Sequence, residues 1–177
     1  VKVLEKITNE LDGSGLRAIS ISGQMHSLVL LDSDYNPIRR SILWNDTRTT
    51  KQCEYIMDNF KEKVIEITGN KSLEGFTLPK ILWIKENEAE SWARTKKFCL
   101  PKDYLVYKYT GNVCTDISDA AGTQMLDIKA GKWSEEIATL LNLDLEKYPK
   151  VYNSNECVGE LNDQLKKKLN VTGSVKI

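Results

Sequence analysis

The only histidine of the chain, His26, closes the segment Gly23-Gln24-Met25-His26, which joins two apolar stretches. An imidazole at the end of a strand could contact a ligand, because open α/β sheets bind ligands beyond the carboxyl ends of their strands. The alternative is a histidine that is hydrogen-bonded inside a loop. A lone histidine makes no metal site without further ligands, and no serine or cysteine partner indicates triad chemistry. His26 is therefore a candidate ligand contact.

Trp44 stands where a predicted strand passes into a helix, and the polar run Asn45-Asp46-Thr47-Arg48 follows it. An indole can stack on the apolar face of a sugar while polar neighbours bond the hydroxyls, so a sugar site is one interpretation. A core tryptophan beside a helix cap is the other. Asp103 and Asp116 lie near predicted helix starts or turns, and a capping role is favoured for both over a role as catalytic base.

Composition and motifs exclude several classes of function. The 177 residues carry 25 Lys and Arg against 25 Asp and Glu, so the formal charge is zero and no basic face for nucleic acid is supplied. No apolar run approaches the roughly 20 residues that a membrane-spanning helix needs. Neither G-x-x-x-x-G-K-[ST] nor G-x-G-x-x-G after a strand is present. The composition indicates a globular chain of one domain, or of one large and one small piece.

Four cysteines, Cys53, Cys99, Cys114 and Cys157, are widely separated and form no C-x-x-C pair. This spacing indicates neither a zinc site nor a redox pair, and it does not suggest a secreted disulfide framework. The first residues lack the apolar stretch and cleavage site of a signal peptide, and they begin inside a predicted helix. We therefore expect reduced core thiols, a cytoplasmic protein and a chain that is a piece of a longer one.

The elements that must position these residues alternate between helix and strand, which predicts an α/β fold. A first helix over 1–12, ended by Gly13 and Gly15, precedes a short β-branched run at 16–22 that predicts a buried central strand. The further predicted elements are strands at 27–31 and 38–44 around a polar turn, helices at about 46–60, 61–68, 78–90, 101–109, 134–142 and 160–169, a short helix at Trp92, strands at 97–100, 113–115 and 123–128, and a loop over 143–158.

Five ordered blocks of the sequence resemble the FGGY family of carbohydrate kinases. The third block, Gly75-Phe76-Thr77-Leu78-Pro79-Lys80-Ile81-Leu82-Trp83-Ile84-Lys85-Glu86-Asn87, is similar to the first signature of that family. Order and spacing fit the family from about residue 16 to the end, which is far more specific than any single motif. The other four blocks are Ser22 to Asp32, Ser41 to Thr49, Leu100 to Leu105 and Thr115 to Thr123.

The resemblance implies an ATP-dependent kinase, working with Mg²⁺, that phosphorylates the 5-hydroxyl of D-xylulose to give D-xylulose 5-phosphate. It also implies a ribonuclease-H-like, actin-like lobe beside a cleft, in which Met25, His26, Trp44 and Asp103 contact the sugar. Gln-Met-His favours a pentulose over glycerol, because glycerol kinases have arginine and glutamate after the glutamine. Family members that act on ribulose, rhamnulose or gluconate share the fold and stay as alternatives, as does a stand-alone sugar-binding module.

The chain departs from the family pattern in three places. The Asp-x-Gly-Thr-[ST] phosphate loop, the Gly-x-x-Asp segment with the catalytic aspartate, and the second lobe with most of the adenine site have no counterpart here. The resemblance thus implies a partial N-terminal lobe over 1–177, incomplete at both ends, with no catalytic residue or metal ligand of its own. The ATP and Mg²⁺ sites are expected mostly elsewhere. We expect the chain to be inactive alone, and an unpaired sheet edge predicts association, for example as a homodimer.

Overall fold

The computed structural model describes residues 2–10 and 15–177. Helices alternate with short strands along this part of the chain, which confirms the predicted α/β class. In chain order the elements are α1 (Lys2–Glu10), β1 (Val29–Leu31), α2 (Thr50–Thr68), α3 (Thr77–Asn87), α4 (Ala89–Arg94), β2 (Lys97–Cys99), α5 (Pro101–Thr110), β3 (Cys114–Asp116), α6 (Ile117–Ala121), β4 (Leu126–Asp127), β5 (Lys132–Trp133), α7 (Glu135–Leu140), a 3₁₀ turn (Leu145–Lys147), β6 (Lys150–Tyr152) and α8 (Asp163–Lys168).

The named strands pair two by two. β1 is antiparallel to β2, β3 is parallel to β6, and β4 is antiparallel to β5. Strand β6 corrects the predicted loop over 143–158; a strand of three residues has too few positions to show a period of two in the sequence. The registers place Leu30 opposite Phe98, Thr115 opposite Val151 and Leu126 opposite Trp133.

The predicted strand pair around the polar turn is present as a hairpin. Leu28 and Ile42 exchange backbone hydrogen bonds of 2.9 and 3.2 Å, and the Ile38 N–H donates to the Leu30 carbonyl at 2.9 Å. Within the turn, Asp32 Oδ1 accepts from the backbone N–H groups of Asp34 and Asn36. The return arm is held by isolated bridges instead of a regular ladder.

Helix α2 corrects two predictions. It runs unbroken from Thr50 to Thr68 where two helices were expected, because no glycine or proline interrupts this range. It begins after Thr49, and not at Asp46 or Thr47. Its end at Gly69 agrees with the prediction, because the φ angle of 73° is a left-handed conformation that glycine adopts without steric cost.

The predicted helix over 78–90 is broken at Glu88, whose φ and ψ angles of −134° and 55° are not helical. Arg39 of the hairpin pairs with the Glu88 carboxylate at 2.8 Å, so the break between α3 and α4 is tied to the hairpin. The start of α3 agrees with the prediction, because Pro79 lies in its first turn, where a proline removes no intrahelical hydrogen bond.

The main core lies between the hairpin, β2 and the inner faces of α2 and α3. All of its central side chains are at most 1% exposed, and burying each aliphatic or aromatic one contributes roughly 1.5–3 kcal/mol. This core holds in place the chain segments on either side of the hairpin and of α3. Its central members are Leu28, Leu30, Ile42, Ile56, Val64, Leu78, Ile81, Ile84 and Phe98.

Residues 16–22 are not the buried central strand that their apolar pattern predicts. Ala18 forms an isolated parallel bridge with Lys176, and Ile19 and Ile21 are only partly buried. One face of the segment packs on a second cluster around Leu161 and Val175, while residues 18–21 also line an open cavity of about 440 Å³. The pattern overstated the burial because only one face of the segment is covered. The predicted first-helix end at Gly13 lies outside the described residues.

All four cysteines are free thiols. Cys53, Cys99 and Cys114 are buried, as expected of core residues, whereas Cys157 is exposed and corrects the prediction that all four lie in the core. Among residues 2–10 and 15–177, no helix is both long and apolar enough to cross a bilayer.

Candidate functional site

The backbone of His26 has a left-handed conformation. Its φ angle is 64°, a region that costs an L-residue with a side chain roughly 1–2 kcal/mol. The Thr77 hydroxyl, at the first residue of α3, donates a 3.0 Å hydrogen bond to the His26 carbonyl. The following residue, Ser27, is fully buried, so the chain enters the core immediately after His26. Tertiary contacts therefore hold His26 in a conformation that its own preferences do not favour.

The His26 imidazole lies between Phe76 and Gly122. It meets the Phe76 ring in an edge-to-face arrangement, with 4.9 Å between the ring centroids and an interplanar angle of 62°. On the other side, a Cβ atom added to Gly122 would lie 2.8 Å from His26 Cε1 and 3.0 Å from Nδ1. The ring therefore rests directly on the Gly122 backbone, where only glycine leaves room for it.

Burial lowers the pKa of the His26 imidazole below 6.5, and the Lys80 ammonium lowers it too, against the opposing effects of the Gly122 backbone and Asp119. We expect the single histidine Hε1 resonance of the 177-residue chain to titrate below 6.5 in an NMR experiment. The unfolded chain then takes up the proton first, so the free energy of unfolding should fall as the pH drops from 6.5 towards the folded pKa. A measured pKa above 6.5 would contradict this arrangement.

Gly122→Ala is expected to displace the imidazole at a cost of roughly 1 kcal/mol, because the added methyl group overlaps the ring. The φ angle of Gly122 is −70°, so the backbone itself accepts alanine. Chemical denaturation gives the cost, and the Hε1 chemical shift reports the displacement. Gly75→Ala is the control, since its added Cβ meets nothing closer than 3.6 Å. An Hε1 resonance that is unchanged in Gly122→Ala would show that the ring does not rest there.

Met25 and Trp44 present apolar surface to solvent close to His26. The two residues are 55% and 54% exposed. The backbone N–H of Trp44 donates a 2.9 Å hydrogen bond to Ser27 Oγ, and the backbone carbonyl of Trp44 lies beside Gly75. The structure thus brings the backbones of residues 25–27 and 44 together, next to the turn that precedes α3.

Asp103 is buried at the start of α5. Its Oδ2 accepts a 3.0 Å hydrogen bond from the Leu100 N–H, which is the capping role expected from the sequence. Its Oδ1 lies 2.8 Å from the Lys102 Nζ. The same ammonium lies 2.6 Å from Asp116 Oδ1 and 3.2 Å from Asp119 Oδ2. Asp116 also has the expected capping role, since it accepts from the Ser118 N–H at the start of α6.

Burial raises the pKa of the Asp103 carboxyl to about 6, although Lys102 opposes that effect. Burial would lower the pKa of the Lys102 ammonium, but its three carboxylate neighbours outweigh burial and raise it. The Lys102 ammonium therefore forms ion pairs with three carboxylates in a cluster that is largely shielded from solvent. The ammonium fills the place that a metal ion would need, so this acidic set does not fit Mg²⁺. In the part of the chain that the structure describes, no other group of His, Cys, Asp or Glu side chains could hold a metal ion.

The segment from Gly23 to His26 connects the two regions. A Cβ atom at Gly23 would lie 3.1 Å from Lys102 Cβ, and His26 rests on Gly122 at the far end of α6. Asp103 itself is 1% exposed and lines the cavity bounded by residues 18–21 and 153–158. Met25, His26 and Trp44 lie close together, because the backbone of Trp44 is hydrogen-bonded to Ser27. Asp103 is buried separately, against the ammonium of Lys102. That all four contact one sugar stays a prediction.

Four residues that contact the candidate site residues or the turn that precedes α3 were not predicted as functional from the sequence: Lys80, Lys102, Phe76 and Gly122. Lys80 carried a usable signal, because it stands among the apolar residues Leu78-Pro79 and Ile81-Leu82 on the inner side of a helix. A lysine in such a position either buries its charge or requires a different face of the helix to pack on the core. Lys102 and Gly122 carried none, because their roles depend on contacts between distant segments.

Known proteins of one family are similar to this chain over most of its length. The N-terminal domain of the FGGY family of carbohydrate kinases matches residues 1–177. Xylulose kinase of Lactococcus lactis subsp. lactis (strain IL1403) is 50% identical over 165 residues, which are 93% of this chain and 33% of that protein. Xylulose kinase of Bacillus subtilis (strain 168) is 46% identical over 89% of this chain and 32% of that protein. The chain thus spans about a third of the length of these curated relatives.

Solved structures agree on the fold. The crystal structure of a xyloylose kinase from Brucella ovis superposes with a TM-score of 0.92 at 36% identity, over 99% of this chain and 36% of that one. The gluconate kinase from Lactobacillus acidophilus gives 0.91 at 29% identity, over 98% and 35%. The predicted ribonuclease-H-like, actin-like architecture is confirmed by these neighbours. The chain belongs to the FGGY family of carbohydrate kinases, whose N-terminal domain it matches.

Proposed function

We propose that this chain is part of the N-terminal lobe of a kinase that transfers the γ-phosphate of ATP to the 5-hydroxyl of D-xylulose, giving D-xylulose 5-phosphate. The observation that carries the proposal is the loop with Met25 and His26, held against Phe76 and Gly122 and adjoining Trp44. Its support from relatives is the 50% identity to the Lactococcus lactis xylulose kinase. The polypeptide of which this chain is proposed to form part is called the complete kinase below.

The proposed sugar contacts follow from the chemistry of the side chains. A ketopentulose presents hydroxyl groups, which need hydrogen-bond donors and acceptors, and C–H faces, which suit an indole or a thioether. Met25 and Trp44 offer exposed apolar surface for the C–H faces. The lowered pKa of His26 favours the neutral imidazole at pH 7, and because its Nδ1 is buried, Nε2 is the ring nitrogen proposed to bond a sugar hydroxyl. Asp103 is the fourth proposed contact, reached from the side of the cavity that it lines.

ATP and Mg²⁺ are proposed for the complete kinase, with their binding groups on segments other than the acidic cluster of Asp103, Asp116 and Asp119. That cluster is neutralised by Lys102 and does not fit Mg²⁺. In phosphoryl transfer, ATP supplies the phosphoryl group, and catalysis consists of positioning and charge stabilisation. The residues of this chain are proposed to bind and orient the sugar, and none is proposed as the catalytic base.

A coupled assay of ADP release tests the proposal. The complete kinase is assayed with Mg²⁺-ATP and with D-xylulose, D-ribulose, L-rhamnulose, gluconate and glycerol in parallel. We expect the highest kcat/KM for D-xylulose, and no turnover above background when the 177-residue chain is used alone. A higher kcat/KM for another sugar would overturn the assignment of D-xylulose. Turnover by the isolated chain would overturn the view that it is one part of the machinery.

Gluconate is the second candidate substrate. The gluconate kinase from Lactobacillus acidophilus is nearly as similar in structure as the xyloylose kinase from Brucella ovis, with TM-scores of 0.91 and 0.92. A stand-alone sugar-binding module is a further candidate, which calorimetry separates because such a module would bind sugar without ATP. Association as a homodimer and a cytoplasmic location stay predictions, which sedimentation and cell fractionation test.

A further inference from the structure

Lys80 is a fully buried lysine whose ammonium donates its hydrogen bonds to a single turn. It stands in the first half of α3, and none of its surface is exposed. Its ammonium donates to the backbone carbonyls of Glu74, Gly75 and Phe76 at 2.7, 2.6 and 2.9 Å. An ammonium group has three hydrogens, so each of them is used on one of three successive carbonyls. The turn at 74–76 is thus fastened to the helix that follows it.

The fastened turn contacts both sides of the proposed sugar site. The Phe76 ring packs on the His26 imidazole, and Thr77, the next residue, binds the His26 carbonyl at 3.0 Å. Gly75 lies beside the carbonyl of Trp44. A movement of this turn would therefore change the placement of His26 and Trp44 together.

A buried ammonium is a costly way to fasten a turn. In the described ranges 2–10 and 15–177, no carboxylate lies within ion-pair distance of Lys80 Nζ, and burial lowers the pKa of Lys80 to about 8. The titratable groups that face it are Asp46, Cys53, Glu74 and His26. Packing alone would be served better by an apolar side chain of the same volume. The charge therefore has a role if it fixes the geometry of the turn at 74–76, since it does not improve the packing of the helix.

We propose that Lys80 is a positioning residue of the sugar site, which fixes the turn at 74–76 so that Phe76 and Thr77 hold His26 in its left-handed conformation beside Trp44. This inference rests on the proposed function, because it concerns the same site. Lys80 itself touches neither sugar nor phosphate in this proposal; it acts through the turn.

Lys80→Met in the complete kinase is the first test, with Lys85→Met as the matched control. Lys85 lies on the same helix and also donates to loop carbonyls, those of Leu141 and Asn142, which are away from the site. We expect Lys80→Met to raise KM for D-xylulose about 10- to 100-fold, as for a misplaced binding group, with KM for ATP unchanged. Lys85→Met should change neither constant. Equal effects of the two substitutions on KM for D-xylulose would overturn the proposal.

Thr77→Val keeps the test decisive if Lys80→Met does not fold, and a titration of His26 adds a second readout if it does. Thr77→Val removes the hydroxyl that binds the His26 carbonyl and retains the Lys80 contacts, and it should also raise KM for D-xylulose. In the 177-residue chain, Lys80→Met should raise the pKa of His26, because a positive charge beside it is lost, whereas Lys85→Met should not. A folded Thr77→Val variant with unchanged KM would contradict the proposal, as would an unchanged His26 titration in a folded Lys80→Met variant.

Failure of the proposed function gives a different result. If the wild-type complete kinase prefers another sugar, the substrate assignment fails, and the effect of Lys80→Met is then measured with that preferred sugar. If the wild-type enzyme uses D-xylulose and the variants at positions 80 and 85 behave alike, the function stands and the role of Lys80 fails.

Discussion

His26→Ala in the complete kinase is expected to lower kcat/KM for D-xylulose by about tenfold to a hundredfold, because a desolvated sugar hydroxyl left without a partner costs roughly 1–3 kcal/mol. KM for ATP should not change, since the nucleotide is proposed to bind other segments. The backbone penalty at this position applies to alanine as well as to histidine, so the loss can be assigned to the imidazole. Steady-state kinetics with each substrate varied in turn measure both effects.

His26→Asn is the companion variant. Asparagine adopts the left-handed conformation more readily than alanine, and its side chain both donates and accepts hydrogen bonds. We expect it to recover part of the activity that alanine loses. Loss of ATP binding with retained sugar binding in either variant would show that the Gln-Met-His segment does not contact the sugar.

Lys102→Met should lower the free energy of unfolding of the chain by roughly 3–5 kcal/mol, the usual cost of removing one partner from a buried charge cluster. The Lys102 side chain is 12% exposed and that of Asp103 is 0% exposed, so the substitution leaves a buried carboxylate without its cation. The pKa of Asp103 should then rise further above the wild-type value of about 6. Urea denaturation of wild type and variant at pH 7 measures the change.

The matched control is Lys63→Met, which also removes a lysine that pairs with two carboxylates. Glu66 and Glu136 lie 3.8 and 3.2 Å from Lys63, but the lysine side chain is 55% exposed. Exposed pairs of this kind contribute about 0–1 kcal/mol, so the control should barely change stability. Lys102→Met combined with Asp103→Asn should recover part of the loss, because the unpaired charge is removed. A cost of Lys102→Met no larger than that of Lys63→Met would mean that the cluster is not desolvated.

Elements whose signals are local could be predicted from the sequence. The helix start at Pro101, the left-handed ends at Gly69 and Gly111 and the polar turn after β1 each depend on residues within one or two turns of chain. The class of fold followed from the alternation of elements, and the architecture came from the resemblance. The exposed side of residues 16–22 could not be predicted, because apolar periodicity does not say how many faces of a segment are covered.

The candidate site was predictable only in part, for the same reason. The exposure of Trp44 contradicts the interpretation as a core tryptophan, and contact of Met25 and Trp44 with a sugar stays a prediction. The contacts of the His26 ring depend on Phe76 and Gly122, which lie 50 and 96 residues away. Lys102 is the sequence neighbour of Asp103, but the carboxylates that share it, Asp116 and Asp119, lie 13 and 16 residues after Asp103, so the charge cluster had no local signature. Pairing between distant residues is set by tertiary packing, on which the spacing of residues in one sequence carries little information.

The left-handed backbone of His26 also has a consequence for directed evolution. A library randomised at this position and selected only for thermal stability should become enriched in asparagine and glycine, which adopt a φ angle of 64° at lower cost. The same library selected for growth on the sugar should retain histidine. The two selections therefore diverge at a single codon, as expected where a local conformation is kept for function at the expense of stability. Sequencing both pools would show whether position 26 is under conflicting selection.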